Sequence, residues 1–168
     1  MPRTILVAYA SKHGSTRETA EAISGMLRDE GLWVETNEAA AVTSVFGYDG
    51  VVLGGSLYAG RWHGDSRAFL KRHGKQLESV PLAIFAMGPK SSSEDDLAGA
   101  RKQLDQNLKK FPDVHPFSIA IFGGVIDPAK LHFPFSKLPA TDARDWDAIR
   151  RWAEEVACAV EVRTAAVA

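Results

Sequence analysis

The residues with the clearest chemical potential lie near the N-terminus: Ser11, Lys12, His13, Gly14, Ser15 and Thr16. Hydroxyls, an ammonium and an imidazole gather there around a glycine that lets the backbone approach a ligand closely. What flanks them decides what they would bind. Ile5 to Ala10 is a continuous apolar run, the pattern of a strand buried on both faces. After Thr16, the spacing of Thr19, Ala20, Ile23, Met26 and Leu27 is helical. A buried strand, a polar loop and a helix start together present unpaired N–H groups at the positive end of a helix dipole. Such a junction suits a phosphate. The spacing Ser15 to Glu18 also fits a capping box, in which a hydroxyl merely starts the helix. Capping accounts for one hydroxyl but not for Ser11, Ser15 and Thr16 together, so phosphate binding is the expectation. Neither a GxGxxG nor a Walker-type glycine loop occurs in this stretch, which sets aside both nucleotide motifs.

The rest of the chain must position this loop. Helix one runs to about Glu30 and stops at Gly31. Leu32 to Thr36 reads as a second strand, and Val51 to Leu53 as a third that closes on Gly54 and Gly55. A polar-aromatic loop, Ser56 to Gly64, leads to a helix over Asp65 to His73 with Ala68, Phe69 and Leu70 inward. Pro81 to Met87 is the fourth strand, broken by Gly88-Pro89, and Glu94 to Leu108 is a helix. Phe117 to Phe122 is the fifth strand, ending at Gly123-Gly124. Pro128, Pro134 and Pro139 make 125–141 a loop. Asp142 to Val160 is the last helix, with a frayed tail from Arg163. Apolar strands alternating with helices predict an α/β fold, a parallel sheet covered on both faces, in a single domain over 1–168.

In such a sheet, ligands bind beyond the carboxyl ends of the strands. Four loops with glycines and donors fall at that rim: 11–16, 54–64, 87–93 and 122–133. Tyr58 and Trp62 stand in the second, where either ring could face a flat ligand. The alternatives are that the glycines merely end strands and that the rings pack over the core.

Composition bounds the rest. Hydrophobic residues are 45% and charged residues 24%, ordinary for a globular protein. Twenty basic residues against 21 acidic ones leave a net charge of −1, which gives no electrostatic case for nucleic acid. No apolar run reaches the ~20 residues of a membrane span, and no cleavage pattern follows the N-terminus, so the expectation is a cytoplasmic protein without a transmembrane segment. The single cysteine, Cys158, excludes an internal disulfide and is expected to be a buried structural thiol. No metal site is expected. A homodimer is compatible with the sequence and is not specified by it.

Through these stretches the chain resembles the flavodoxin superfamily over nearly its whole length. SKHGST is similar to the loop that holds the FMN 5′-phosphate, and GGSLYAGRWHG to the loop that lines the isoalloxazine. The resemblance implies a flavodoxin-like three-layer sandwich, a five-stranded parallel sheet in the order 2-1-3-4-5, and a non-covalent FMN. It implies cofactor contacts from Ser11, Lys12, His13, Gly14, Ser15 and Thr16. From the second loop it adds Ser56, Leu57, Tyr58, Ala59, Gly60, Arg61 and Trp62. From the later loops it adds Met87, Gly88, Pro89, Gly123, Gly124, Val125 and Asp127. Within the superfamily, AYASKHGSTRETAEAI, GGSLYAGRWHGDSRAFL, FGGVIDPAKL and RDWDAIRRWAEEV resemble the menaquinone-dependent protoporphyrinogen oxidase branch.

That likeness implies an FMN-dependent oxidoreductase, with a quinone or porphyrinogen among its small-molecule partners. The cofactor would carry the redox chemistry, tuned by backbone donors near Gly55, Ser56 and Gly88. Lys12, Arg17 and Arg61 are candidate cations, and His13 and His63 candidate proton relays. The alternative is a one-electron carrier, which usually docks through a strongly negative face that this composition does not supply. The stretch Leu131 to Ala140 is short and interrupted by prolines. Its Leu131, Phe133, Phe135 and Leu138 are expected to form one wall of the access path to the flavin.

Overall fold

Strand β1 (Thr4–Ala10) is buried from Ile5 onward, and its side chains divide between two cores. Ile5, Val7 and Tyr9 enter one apolar cluster, Leu6, Ala8 and Ala10 the other. This is the period-two alternation of a strand with both faces covered. On the first face lie α1 (Ser15–Asp29) and α4 (Trp146–Val167), through Ile23, Leu27, Trp152, Val156 and Val160. On the second lie α2 (Gly64–His73) and α3 (Glu94–Leu108), through Phe69, Leu70, Ala100 and Leu104. The computed structural model describes residues 1–167, except the side chains of Phe135 and Val167.

β1 pairs in parallel with β2 (Trp33–Glu38) on one side and β3 (Gly50–Tyr58) on the other. The sheet continues through β5 (Leu82–Met87) to β6 (Ser118–Phe122), also parallel. The order β2-β1-β3-β5-β6 is the expected 2-1-3-4-5. The labels shift because β4 (Arg61–Trp62) folds back antiparallel on the end of β3. Ala59 and Gly60, at φ 49° and 77°, make the two-residue turn between them. Positive φ at both central positions gives the twist that a tight hairpin requires.

The third strand therefore does not close at Gly54 and Gly55 but runs on to Tyr58. These glycines are seats for neighbouring side chains. A Cβ on Gly54 would stand 2.0 Å from the Phe85 ring. On Gly55 it would stand 2.3 Å from Ser66 Oγ and 2.7 Å from Trp62 Nε1. In α2, Ser66 rather than Ala68 turns inward, and its hydroxyl donates to Gly54 O at 3.1 Å.

The C-terminal third departs most from expectation. The segment after β6 contains β7 (Val125–Ile126), 3-10 turns at Pro128–Lys130 and Phe135–Lys137, and β8 (Thr141–Asp142), which pairs antiparallel with β7. β8 takes Asp142, the residue expected to open the last helix. α4 begins at Trp146 instead, where Asp145 Oδ1 accepts the Ala148 N–H at 3.0 Å. It continues beyond Arg163, whose guanidinium lies 4.8 Å from the centre of the Phe117 ring. Cys158 is exposed, because Ala153, Val156, Ala157 and Val160 already define the inward face of α4. No helix among the described residues is long and apolar enough to cross a membrane.

The seat at Gly54 gives a direct test. Gly54→Ala should destabilise the fold by about 1–3 kcal/mol through overpacking. Phe85→Leu in the same chain should recover part of that loss, so that the two changes are not additive in chemical denaturation.

Candidate functional site

The junction between β1 and α1 is held open by its own backbone. Gly14 is the N-cap residue, at φ 95°, and no side chain caps the helix. Ser15 lies inside the helix, so the capping box does not form, and Glu18 instead meets Arg144 at 2.8 Å. The N–H groups of the first turn consequently lack the acceptors that an interior turn would provide. Ser11 Oγ accepts the Gly14 N–H at 2.9 Å, which shapes the loop and leaves the hydroxyl proton to donate elsewhere. Thr16 is 1% exposed, and its Oγ1 has no hydrogen-bond partner among the described residues. An unpaired buried hydroxyl is costly, and native sites seldom leave one without a purpose. A cavity of about 230 Å³ opens beside Tyr9, Ala10, Ser11, Gly14 and Arg17.

The four rim loops meet around this junction. Lys12 Nζ lies 4.8 Å from the centre of the Tyr58 ring, joining the first loop to the second. The Gly124 N–H donates to Pro89 O at 2.8 Å, joining the third to the fourth. Lys130 Nζ donates to His13 O at 3.1 Å, joining the fourth to the first.

The model of the flavodoxin domain family matches residues 6–137. The chain belongs to that family. Protoporphyrinogen IX dehydrogenase (quinone) of Escherichia coli strain K12 is 27% identical over 115 residues, which are 64% of this flavodoxin-domain chain and 63% of that protein. The chain thus matches less than two thirds of that relative's length. Flavodoxin 2 from Bacillus cereus superposes with a TM-score of 0.57 at 17% identity, covering 95% of this chain and 99% of its own. The rubredoxin oxygen:oxidoreductase of Desulfovibrio gigas gives 0.64 at 17% identity, over 96% of this chain and 37% of that one. Both show the shared fold.

A flavodoxin domain implies a flavin, and the residues present fit one at its phosphate end. The open first turn and the orphaned Thr16 hydroxyl are the donors that a phosphate accepts from. At the ring end the candidates differ in exposure. Tyr58 is 55% exposed and remains available as an aromatic surface, although the Lys12 ammonium now covers one face. Trp62 is corrected. It is 0% exposed, with its indole N–H donating to Gly55 O at 3.1 Å, so it packs under β3 and offers no ring face. The side chains of Leu57 and Met87 are buried in the two cores, which leaves only their backbone at the rim. The Gly88 N–H is engaged by Phe122 O at 3.3 Å. Gly123 is a close-packing position, since a Cβ there would stand 2.1 Å from Ala143 O. Val125 pairs with Asp142 in the β7–β8 ladder. Asp127 Oδ1 accepts the Ala129 N–H at 3.1 Å and so starts the turn that carries Lys130. Arg61 is exposed at the hairpin, and Arg17 pairs with Glu21 at 3.0 Å. His63 Nδ1 accepts the Asp65 N–H at 3.1 Å and caps α2.

Three contributors had no pattern in the sequence. Asn107 reaches from α3 to the hairpin, accepting the Trp62 N–H at 3.2 Å and donating to Gly60 O at 3.0 Å. Lys130 and Arg144 arrive from the distant C-terminal segment. A larger concavity of about 470 Å³ lies between the hairpin, Gly88–Lys90 and α3. Lys90, Asp95 and Asp96 line it, and Glu38 and Asp65 stand beside Arg17 in the cavity at the β1–α1 junction, so it is the open first turn and the Thr16 hydroxyl that distinguish the junction.

Burial, followed by the charges of Lys12, Lys130 and His132, pushes the His13 imidazole below its ordinary 6.5. The ring should titrate below that value by NMR, assigned with His13→Asn. A depressed histidine contributes stability that is full above 6.5 and falls away as the pH drops through its folded value, because the unfolded chain takes the proton first. Trp62→Phe should cost about 1–3 kcal/mol in denaturation by stranding the Gly55 carbonyl, whereas Tyr58→Ala should leave stability nearly unchanged.

Proposed function

We propose that this flavodoxin-domain protein is an FMN-dependent oxidoreductase that passes electrons to a quinone-type acceptor. The observation that carries the reading is the uncapped first turn of α1 with the unpartnered, buried Thr16 hydroxyl. Bound there, FMN would supply the electron and hydride chemistry that the side chains lack. The protein's part is to hold and orient it. Ser11, Ser15, Thr16 and the first-turn amides would take the phosphate, and Tyr58 would flank the ring once Lys12 moves aside. The quinone acceptor is proposed from the relative's activity as a quinone-linked protoporphyrinogen IX dehydrogenase. Each acceptor molecule would take two electrons and two protons to become the quinol. Porphyrinogen is a candidate donor on the same ground.

A second reading, a one-electron carrier, is favoured by the superposition on nearly the whole of the Bacillus flavodoxin. Against it stands the near-balance of charge, 20 basic residues to 21 acidic. Turnover separates the two. Catalytic reduction of a soluble quinone with two electrons per acceptor supports the oxidoreductase; electron exchange only with small redox proteins supports the carrier.

Ser11→Ala and Thr16→Ala should each weaken FMN by about 1–3 kcal/mol in a fluorescence titration, the range for a hydrogen bond to a charged group. Unchanged affinity in the double variant would show that the phosphate lies elsewhere. Tyr58→Ala should shift the bound-flavin absorption bands, and an identical spectrum would remove Tyr58 from the ring.

A further inference from the structure

We propose that Lys130 is a phosphate-reading cation, carried to the first loop by the segment between β7 and β8, and that it makes the site select FMN over flavins without a phosphate. The proposal rests on the FMN reading above. Lys130 lies 117 residues from His13 in sequence, yet its Nζ donates to His13 O at 3.1 Å. The same nitrogen stands 3.8 Å from where a Cβ on Gly14 would be, so the charge sits against the N-cap of α1. An ammonium has three N–H donors, and the carbonyl occupies one.

Among the described residues, both arginines near the junction are held in ion pairs, whereas this cation is not. Arg17 is paired with Glu21, and Arg144 with Glu18 and Asp142. Lys12 lies over the Tyr58 ring. Among the described residues, no carboxylate lies within ion-pair distance of Lys130. Resting on a carbonyl, it can accept a phosphate without giving up an ion pair. The ion pair of Arg144 with Glu18 also neutralises the one carboxylate of the first helical turn, which would otherwise repel the same phosphate.

The placement is specified locally and at a distance. Asp127 caps the Pro128–Lys130 turn, and the β7–β8 pairing returns the segment to the rim. Ser92 Oγ donates to Ala143 O at 2.7 Å, which ties the segment to the third loop as well. The positive surroundings that depress the His13 imidazole include this ammonium.

The test compares FMN with riboflavin, which has the same ring and no phosphate, in fluorescence titrations of the full chain. Lys130→Gln should weaken FMN roughly fivefold to twentyfold, the span between an exposed charge pair and a charge-assisted hydrogen bond, with riboflavin unchanged. Lys130→Arg should keep most of the preference, and the salt dependence of FMN binding should flatten in the glutamine variant. If Lys130→Gln leaves the FMN-to-riboflavin ratio intact while Thr16→Ala lowers it, the Lys130 proposal fails and the FMN reading survives. Equal weakening of both flavins would mean that Lys130 only shapes the loop, which also overturns the proposal. A wild-type chain that binds neither flavin, or both alike, overturns both.

Discussion

The first turn of α1 has backbone donors and a buried hydroxyl but no side chain to satisfy them. Most helices in a folded protein begin on a serine, threonine, aspartate or asparagine cap. This one begins on Gly14, with Ser11 turned onto the Gly14 amide and Glu18 drawn away by Arg144. Unsatisfied donors at the carboxyl end of a central strand are a cost that an anion relieves. The remaining rim follows from keeping that turn open while bringing other loops close to it.

Close approach is what the glycines provide. Gly54 and Gly55 leave room beneath the strand for Phe85, Ser66 and Trp62, which fixes where β3 ends and where Tyr58 emerges. Gly88 and Gly124 let two crossing backbones meet at van der Waals distance, and Gly123 does the same against Ala143. The result is a rim in which each loop is braced by another, through Lys12 on Tyr58, Gly124 on Pro89 and Lys130 on His13. Such bracing is what a ligand site needs in order to hold donors in place without their own partners.

Much of this was legible in the sequence. The apolar run Ile5 to Ala10, followed by clustered hydroxyls and a helical pattern, located the junction, and alternation of strands with helices pointed to the parallel sheet, whose order followed from the resemblance to the flavodoxin superfamily. α3 is observed over the expected residues, because Ser93 caps it and its inward positions are regularly spaced. What the sequence could not show was direction. A glycine before an aromatic reads the same whether it frames a ligand or seats a ring, so Trp62 could be read as an exposed platform when it is buried on Gly55. The prolines of 125–141 hid the two-residue strands β7 and β8, which are too short to carry a period. Lys130 and Arg144 left no signal at all, since a contact across more than a hundred residues is set by topology and not by local pattern.

The most direct measurement is an amide NMR titration of the full chain with FMN. The N–H resonances of Ser15, Thr16 and Arg17 should shift most and move downfield together, as donors to a bound phosphate. Shifts confined to Leu57, Gly99 and Gln103, around the larger concavity beside α3, would contradict that placement.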